Sequence, residues 1–273
     1  MLAEMLKAVF LGVVEGVTEW LPVSSTGHML LVDEFLSLGM SAEFKEMFFV
    51  VVQLGAILAV ILLFWRRMLP LELNRGVKLK KDSVSLWLKV ALACVPGAVV
   101  TLLFDDFINA YLHIPQVIAV ALVFYGLVFL FIESSLKDKV PRVDTLEDIS
   151  FRDAFVIGLF QVLSIIPGTS RSGATIIGAL AIGVSRVAAA EFTFFLAVPV
   201  MFGLSLIKLI GFGFSFSPVQ LAVLGVGTLT AFAVSVAVVK FLMSYVKNKN
   251  FKLFGYYRIV LGAVILLVFE FFA

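Results

Sequence analysis

The 273-residue sequence predicts an all-α polytopic membrane protein: six transmembrane helices plus two re-entrant helical hairpins in an inverted-topology repeat. Three observations predict it. Hydrophobic residues make up 62% of the chain and charged residues 15%, where a soluble domain carries about a quarter charged. Mean hydropathy is +1.11. Six apolar runs are each long enough to cross a hydrocarbon core of about 30 Å. The net charge of +2 gives no reason to expect a nucleic-acid partner. The single Cys94 forms no internal disulfide and reads as a packing residue. Acidic residues interrupt the N-terminal apolar stretch, so no cleavable signal is expected there.

In chain order, residues 2–20 and 28–38 read as two short helices, each too brief or too polar to span, and so as a re-entrant pair. Spans follow at 48–65, 86–104 and 117–132. A second short pair is read at 154–166 and 174–182, followed by spans at 188–210, 219–242 and 254–272. Pro96-Gly97 and Pro199 lie inside spans, where proline removes a backbone donor and favours a kink. The loops at 66–81, with Arg75 and Lys78, 137–152 and 247–252 are rich in Lys and Arg. Those at 105–115, with Asp105, Asp106 and His113, and at 211–218 contain neither. By the positive-inside rule the basic loops face the cytoplasm. The first hairpin then enters from outside and the second from the cytoplasm. His113 reads as a solvated loop residue, and Trp65 and Trp87 as interfacial anchors.

The chain is organised around residues 15–28, Glu-Gly-Val-Thr-Glu-Trp-Leu-Pro-Val-Ser-Ser-Thr-Gly-His. Glu15 and Glu19 share one face of a helix, and Pro22 stops it. The hydroxyls of Ser24, Ser25 and Thr26 come next, then Gly27 and His28. Polar groups in an apolar chain are costly unless they are paired or line a wet cavity, so they mark function. A second turn, residues 167–175, reads Pro-Gly-Thr-Ser-Arg-Ser-Gly-Ala-Thr. It sets Arg171 among hydroxyls at the start of a helix, where free N–H groups and the positive dipole end suit a phosphate. Arg171 adds a bidentate fork for phosphoryl oxygens and, in a membrane, calls for an anion that Glu15 or Glu19 can supply. A structural Arg–Glu pair joining two hairpins is the plainer reading of the same residues.

The two turns echo one another. Residues 12–18 align with 158–164, and after a one-residue gap 22–25 align with 167–170. Glu46 and Glu191 open the long spans that follow. The chain is therefore one membrane domain, residues 1–273, with repeat halves of roughly 1–133 and 150–273. An inverted repeat of this kind places its site where the broken hairpins meet. Gln161 stands at the repeat position of Glu15, so any metal role is expected on the first hairpin alone.

Glu-x-x-x-Glu followed by Leu-Pro-Val-Ser-Ser-Thr-Gly-His, together with Pro-Gly-x-Ser-Arg-Ser-x-x-Thr, resembles the motif pair of the undecaprenyl-diphosphate phosphatase family, the bacitracin-resistance type. The resemblance runs from end to end, with no motif position departing. It implies removal of the terminal phosphate of undecaprenyl diphosphate, giving the undecaprenyl phosphate carrier of peptidoglycan synthesis. It implies functional roles for Glu15, Glu19, Ser25, His28 and Arg171, with Ser170, Ser172 and Thr175 around the phosphate and Ser24, Thr26 and Gly168 as further phosphate-binding candidates. It also implies a divalent cation, Mg²⁺ or Ca²⁺, for which Glu15 and Glu19 are the candidate ligands. The expected partners are a polyprenyl diphosphate and membrane lipids, and a homodimer is allowed. The expected location is the bacterial plasma membrane, with the site opening to the external, periplasmic side.

Two mechanisms fit the residues. Ser25 attacks phosphorus with Glu19 as base and His28 as general acid, or Glu19 activates a water and Ser25 only binds. A rival of another class is an inverted-repeat transporter or flippase of an anionic lipid or solute. The hydroxyl-rich turn opposite a glutamate pair favours the phosphatase.

Overall fold

A computed structural model describes residues 1–72, 78–112, 114–137 and 139–271, without the side chains of residues 72, 78, 105–110 and 271. Arg75 and His113, and the side chains of Lys78, Asp105 and Asp106, lie outside that description. The helices are α1 (Leu2–Thr18), α2 (Ser25–Phe35), α3 (Ala42–Val51), α4 (Gln53–Met68), α5 (Lys81–Tyr111), α6 (Pro115–Ser135), α7 (Phe151–Val162), α8 (Arg171–Ala181), α9 (Arg186–Phe212), α10 (Pro218–Asn248) and α11 (Lys252–Phe271). A two-residue antiparallel pairing, Leu71–Glu72 with Lys78–Leu79, is the one sheet among the described residues. Six helical segments are long and apolar enough to span a membrane: Ala42–Met68, Lys81–Phe104, Pro115–Ser135, Arg186–Phe212, Pro218–Asn248 and Lys252–Glu270. The first is longer than its sequence predicts. Val52, in αR geometry, joins α3 and α4 into one run, so Glu46 lies within the helix and not ahead of it.

The two short pairs have the same local construction. In the first, the outer ends meet: the Glu4 carboxylate accepts from the Gly39 N–H at 2.7 Å, and Lys7 donates to the Ser37 carbonyl at 2.7 Å. In the second, the Arg142 N–H donates to the Gly183 carbonyl at 2.8 Å, and the Arg142 guanidinium pairs with Asp153 at 2.5 Å. Ser24 and Ser170 each precede a short helix at positive φ, 73° and 68°. Each side chain accepts from the N–H three residues on, at Gly27 and Gly173. This geometry corrects the repeat register. Ser24, and not Ser25, corresponds to Ser170, so residues 12–27 match 158–173 without a gap. Ser25 then stands opposite Arg171, and Thr26 opposite Ser172.

Lipid offers helices little hydrophobic drive to associate, so close packing at small residues does that work. A Cβ on Gly55 would lie 2.1 Å from the Thr228 carbonyl of α10, and one on Gly158 would lie 2.4 Å from the Ala93 carbonyl of α5. Gly126 of α6 and Gly255 of α11 face each other in the same way. The α3–α4 run and α9 lie side by side in opposite directions, clamped at both ends. Glu46 faces Lys208 at 3.6 Å, and Arg67 donates to Glu191 at 2.7 Å. Glu133, whose side chain is fully buried, accepts from Arg186 and from the Phe251 N–H, tying α6 to the starts of α9 and α11.

Candidate active site

The tips of the two short pairs meet. The contact begins at Glu19, the C-cap of α1, which extends the helix by one αR residue before the chain turns. One carboxylate oxygen, Oε1, accepts from Arg171 Nη2 at 3.1 Å. The other, Oε2, accepts from the Ser25 hydroxyl at 2.8 Å. The Glu19 backbone carbonyl accepts from the Ser172 hydroxyl at 3.1 Å. Glu19 and Arg171, 152 residues apart in the chain, are thus paired, and both charged side chains are nearly buried, Arg171 at 10% and Glu19 at 8% exposure. Thr26 is exposed, and Ser25 and His28 are half-buried, so the junction opens on the α2 side.

Local sequence explains why these groups stand here. Ser25 and Arg171 are the first residues of α2 and α8. First-turn N–H groups have no partner within their own helix, so two positive helix ends converge on this point. The Ser24 and Ser170 caps satisfy one N–H each, at Gly27 and Gly173, and leave the N–H groups of residues 25–26 and 171–172 without partners inside their helices. An oxyanion is the ligand such a junction suits best.

The other expected residues sort into three groups. Ser172 belongs to the junction. Ser24, Ser170, Thr175 and Gly168 build it from within. Ser24 is buried and spent on its cap, and the Ser170 hydroxyl lies 3.1 Å from that of Ser172. Thr175, fully buried, bonds the Arg171 carbonyl at 2.9 Å and the Thr193 hydroxyl at 2.8 Å, which fixes the first turn of α8. Gly168 has φ +90°, and a Cβ there would lie 2.4 Å from the Ile118 carbonyl. Only glycine suits that backbone and that approach. Glu15 lies apart from these bonds. It is 1% exposed, and its Oε1 has no hydrogen-bond partner.

His28 is bonded to Ser24 and Tyr257, and not to Glu19. Its Nδ1 lies 2.7 Å from the Ser24 carbonyl and its Nε2 lies 2.7 Å from the Tyr257 hydroxyl. A carbonyl only accepts, so Nδ1 carries the proton, and in the neutral ring Nε2 accepts from Tyr257. The two rings also lie nearly parallel, 5.6 Å between centroids.

Tyr257 and its neighbour Arg258 escaped the sequence reading. Arg258 is fully buried. It donates to the Pro22 carbonyl at 3.2 Å on one tip, and to the Gly168 and Thr169 carbonyls at 2.9 and 2.8 Å on the other. Its guanidinium lies over the Tyr125 ring, 5.9 Å from the centroid. No carboxylate pairs with it among the described residues, so a second fixed positive charge stands behind the junction. The available signal was a lone arginine inside the last apolar run, where a cation is costly and therefore meaningful.

An orphaned, buried carboxylate oxygen on Glu15, one helical turn before Glu19, fits a hard cation that prefers oxygen ligands. No group of three acidic, histidine or cysteine side chains forms a metal cage among the described residues, so such an ion would draw its remaining ligands from phosphate oxygens and water.

Fold and junction together define a class: a polytopic α-helical membrane protein that buries an acid, a hydroxyl and a guanidinium where two interrupted helix pairs meet. Residues 8–264 match the family described as bacitracin resistance protein BacA, and the chain belongs to that family. It is 62% identical over 267 residues to an undecaprenyl-diphosphatase of Enterococcus faecalis, with 97% of each chain covered. It is 55% identical to the undecaprenyl-diphosphatase of Desulfitobacterium hafniense, covering 98% of this chain and 97% of the relative. It is 52% identical to that of Acetivibrio thermocellus, covering 97% and 98%.

Proposed function

We propose that the chain is an integral membrane phosphatase that removes the terminal phosphate of undecaprenyl diphosphate, returns undecaprenyl phosphate to cell-wall synthesis and thereby confers bacitracin resistance. The observation that carries this reading is the single Glu19 carboxylate, which accepts from the Ser25 hydroxyl at one oxygen and from the Arg171 guanidinium at the other.

Glu19 accepts from Nη2 of the Arg171 fork, while Nη1 donates to the Thr193 carbonyl at 3.0 Å. A diphosphate competes for that fork and for the N–H groups at the starts of α2 and α8. Binding then leaves Glu19 engaged with Ser25 alone, as a base beside a nucleophile. The Ser25 proton passes to Glu19 as Oγ attacks the terminal phosphorus. The bond from that phosphorus to the bridging oxygen breaks, and the lipid monophosphate leaves. Glu19 passes the Ser25 proton on with the departing monophosphate and is a carboxylate again. It then takes a proton from water as the water oxygen attacks the phosphoserine phosphorus. The bond from phosphorus to Ser25 Oγ breaks, and the proton returns to Ser25 as phosphate leaves. Arg171 meets the charge that accumulates on the equatorial oxygens, where most of the catalysis of phosphoryl transfer resides. His28 is the candidate general acid for the leaving oxygen, and its bond to Tyr257 fixes the ring.

Glu15 and Glu19 are the residues that would hold Mg²⁺ or Ca²⁺. When bound, the ion supplies positive charge to the phosphoryl oxygens. We read α1–α2 and α7–α8 as re-entrant hairpins of an inverted repeat with halves near 1–133 and 150–273. The matched positive-φ caps and the clamp of the α3–α4 run against α9 support this. The family resemblance points to a bacterial plasma membrane, and loop charge favours a site reached from the external face.

The test is phosphate release from a prenyl diphosphate by the detergent-purified protein. One phosphate and one prenyl monophosphate per substrate are expected, and no release would contradict the reading.

A further inference from the structure

We propose that the cavity between the end of α4 and the start of α5 binds the headgroup of an anionic phospholipid carrying a single phosphodiester charge. The cavity measures about 420 Å³ and lies at the face bearing the basic loops, far along the chain from the Glu19 junction. Its cations are Arg66, Arg67, Lys80 and Lys89, and its carboxylates are Asp82 and Glu147. Arg67 is already paired with Glu191 at 2.7 Å. Among the described residues that leaves three cations against two carboxylates, an excess of one positive charge. Such an excess matches a phosphodiester better than a doubly charged monoester.

The cations are held in place by groups that do not neutralise them. Lys89 is buried, with Nζ donating to the Glu147 carbonyl at 3.1 Å and lying 6.0 Å from the Phe151 ring centroid. Lys80 donates to the Arg66 carbonyl at 3.2 Å. Arg66 lies 5.8 Å from the Trp65 ring centroid. Ser83 and Ser85, in the first turns of α5, add hydroxyls beside the positive end of that helix.

A lipid, and not a free anion, is indicated by what adjoins the cavity. A second cavity of about 400 Å³ shares Arg66 and Arg67 and continues along Leu62, Leu63 and Phe64. Leu58 and Leu62 on α4 and Leu88 on α5 are about half exposed, an apolar surface for acyl chains directly beyond the charged mouth. Exposed Trp65 sets this level at the membrane interface. Basic pockets between spans at such an interface are known ports for anionic headgroups. This site does not depend on the chemistry at Glu19.

The experiment is a binding titration of the delipidated, detergent-purified full chain. The probes are dihexanoyl phosphatidylglycerol, dihexanoyl phosphatidylcholine and inorganic phosphate. Saturable binding of the glycerol lipid alone is expected. The double substitution Arg66→Gln and Lys80→Gln should weaken it about thirtyfold, at roughly 1 kcal/mol per interfacial cation. Lys80→Gln alone, a milder change, should give an intermediate loss. Both variants should elute as wild type on size exclusion. Equal binding of the two lipids, unchanged affinity in the variants, or inorganic phosphate binding as tightly as the lipid would each overturn the proposal.

Discussion

Glu19 has one carboxylate and two partners, and the partners belong to different parts of the chemistry. Ser25 offers a proton and Arg171 offers a charge. Ser25→Ala removes the proposed nucleophile and leaves the Glu19–Arg171 pair intact, so phosphate release should fall about 10³-fold or more while the protein still folds. Substantial residual turnover in that variant would assign the attack to water. Arg258 is a different kind of residue. It touches three carbonyls on two tips and no acid. Arg258→Ala leaves those buried acceptors bare at about 1–3 kcal/mol each, so the thermal midpoint in detergent should drop sharply. An unchanged midpoint would mean the tips hold together without it. Glu19, Ser25 and Arg171, which the fold brings together, were legible in the sequence as polar groups in an apolar setting; Glu15 was read with them and lies outside their bonds. Tyr257 was not, because a tyrosine inside an apolar run looks like any packing aromatic until the fold brings it to His28. Thr175 and Ser170 were legible as important but not in role. Both build the turn from within, and only geometry separates a hydroxyl that binds from one that braces.

Among elements, α1 against α10, α4 against α10, and α7 against α5 approach closely enough that backbone meets backbone. Gly55→Val would force side-chain atoms into the Thr228 carbonyl, which a Cβ already reaches at 2.1 Å. A loss of about 3 kcal/mol is expected, seen as a lower unfolding midpoint and poorer yield. Gly203→Ala, with nothing within 4 Å of the new methyl, should be neutral and serves as the control. At the basic face, α7 is capped by Ser150 and Asp153 in a reciprocal box. Burial raises the Asp153 pKa, but the Ser150 hydroxyl and N–H and the Arg142 guanidinium outweigh it and hold the carboxyl below its ordinary 3.8. A depressed pKa contributes stability that is complete above the ordinary value and is lost as pH falls through the lower, folded value. The gap in midpoint between wild type and Asp153→Asn should therefore be present at neutral pH and shrink below about pH 4. A gap that does not change with pH would exclude the linkage. Helix number and order were legible from hydropathy. The ends were not, because α2 begins at Ser25 through a positive-φ serine, and no local propensity announces that backbone. The same signal is why the repeat register read from residue identity was one residue out.

At the scale of the whole molecule, two short helix pairs far apart in sequence meet tip to tip, with α10 packed on α1 and α4, and α5 on α7. That arrangement places an arginine with a carboxylate and a hydroxyl where neither pair alone could hold a phosphate. The convergence was legible in the sequence as an expectation of repeat symmetry. Arg258, the bridge behind it, was not, since a bond from α11 to both tips exists only in three dimensions. If Glu19 and Arg171 act as one unit, their losses cannot be independent. The direct measurement is a double-mutant cycle on kcat/KM for prenyl diphosphate hydrolysis, using Glu19→Gln, Arg171→Lys and the two together. The double variant should be no more than a few-fold worse than the worse single variant. Losses that multiply, each substitution costing the same with or without the other, would contradict a shared site.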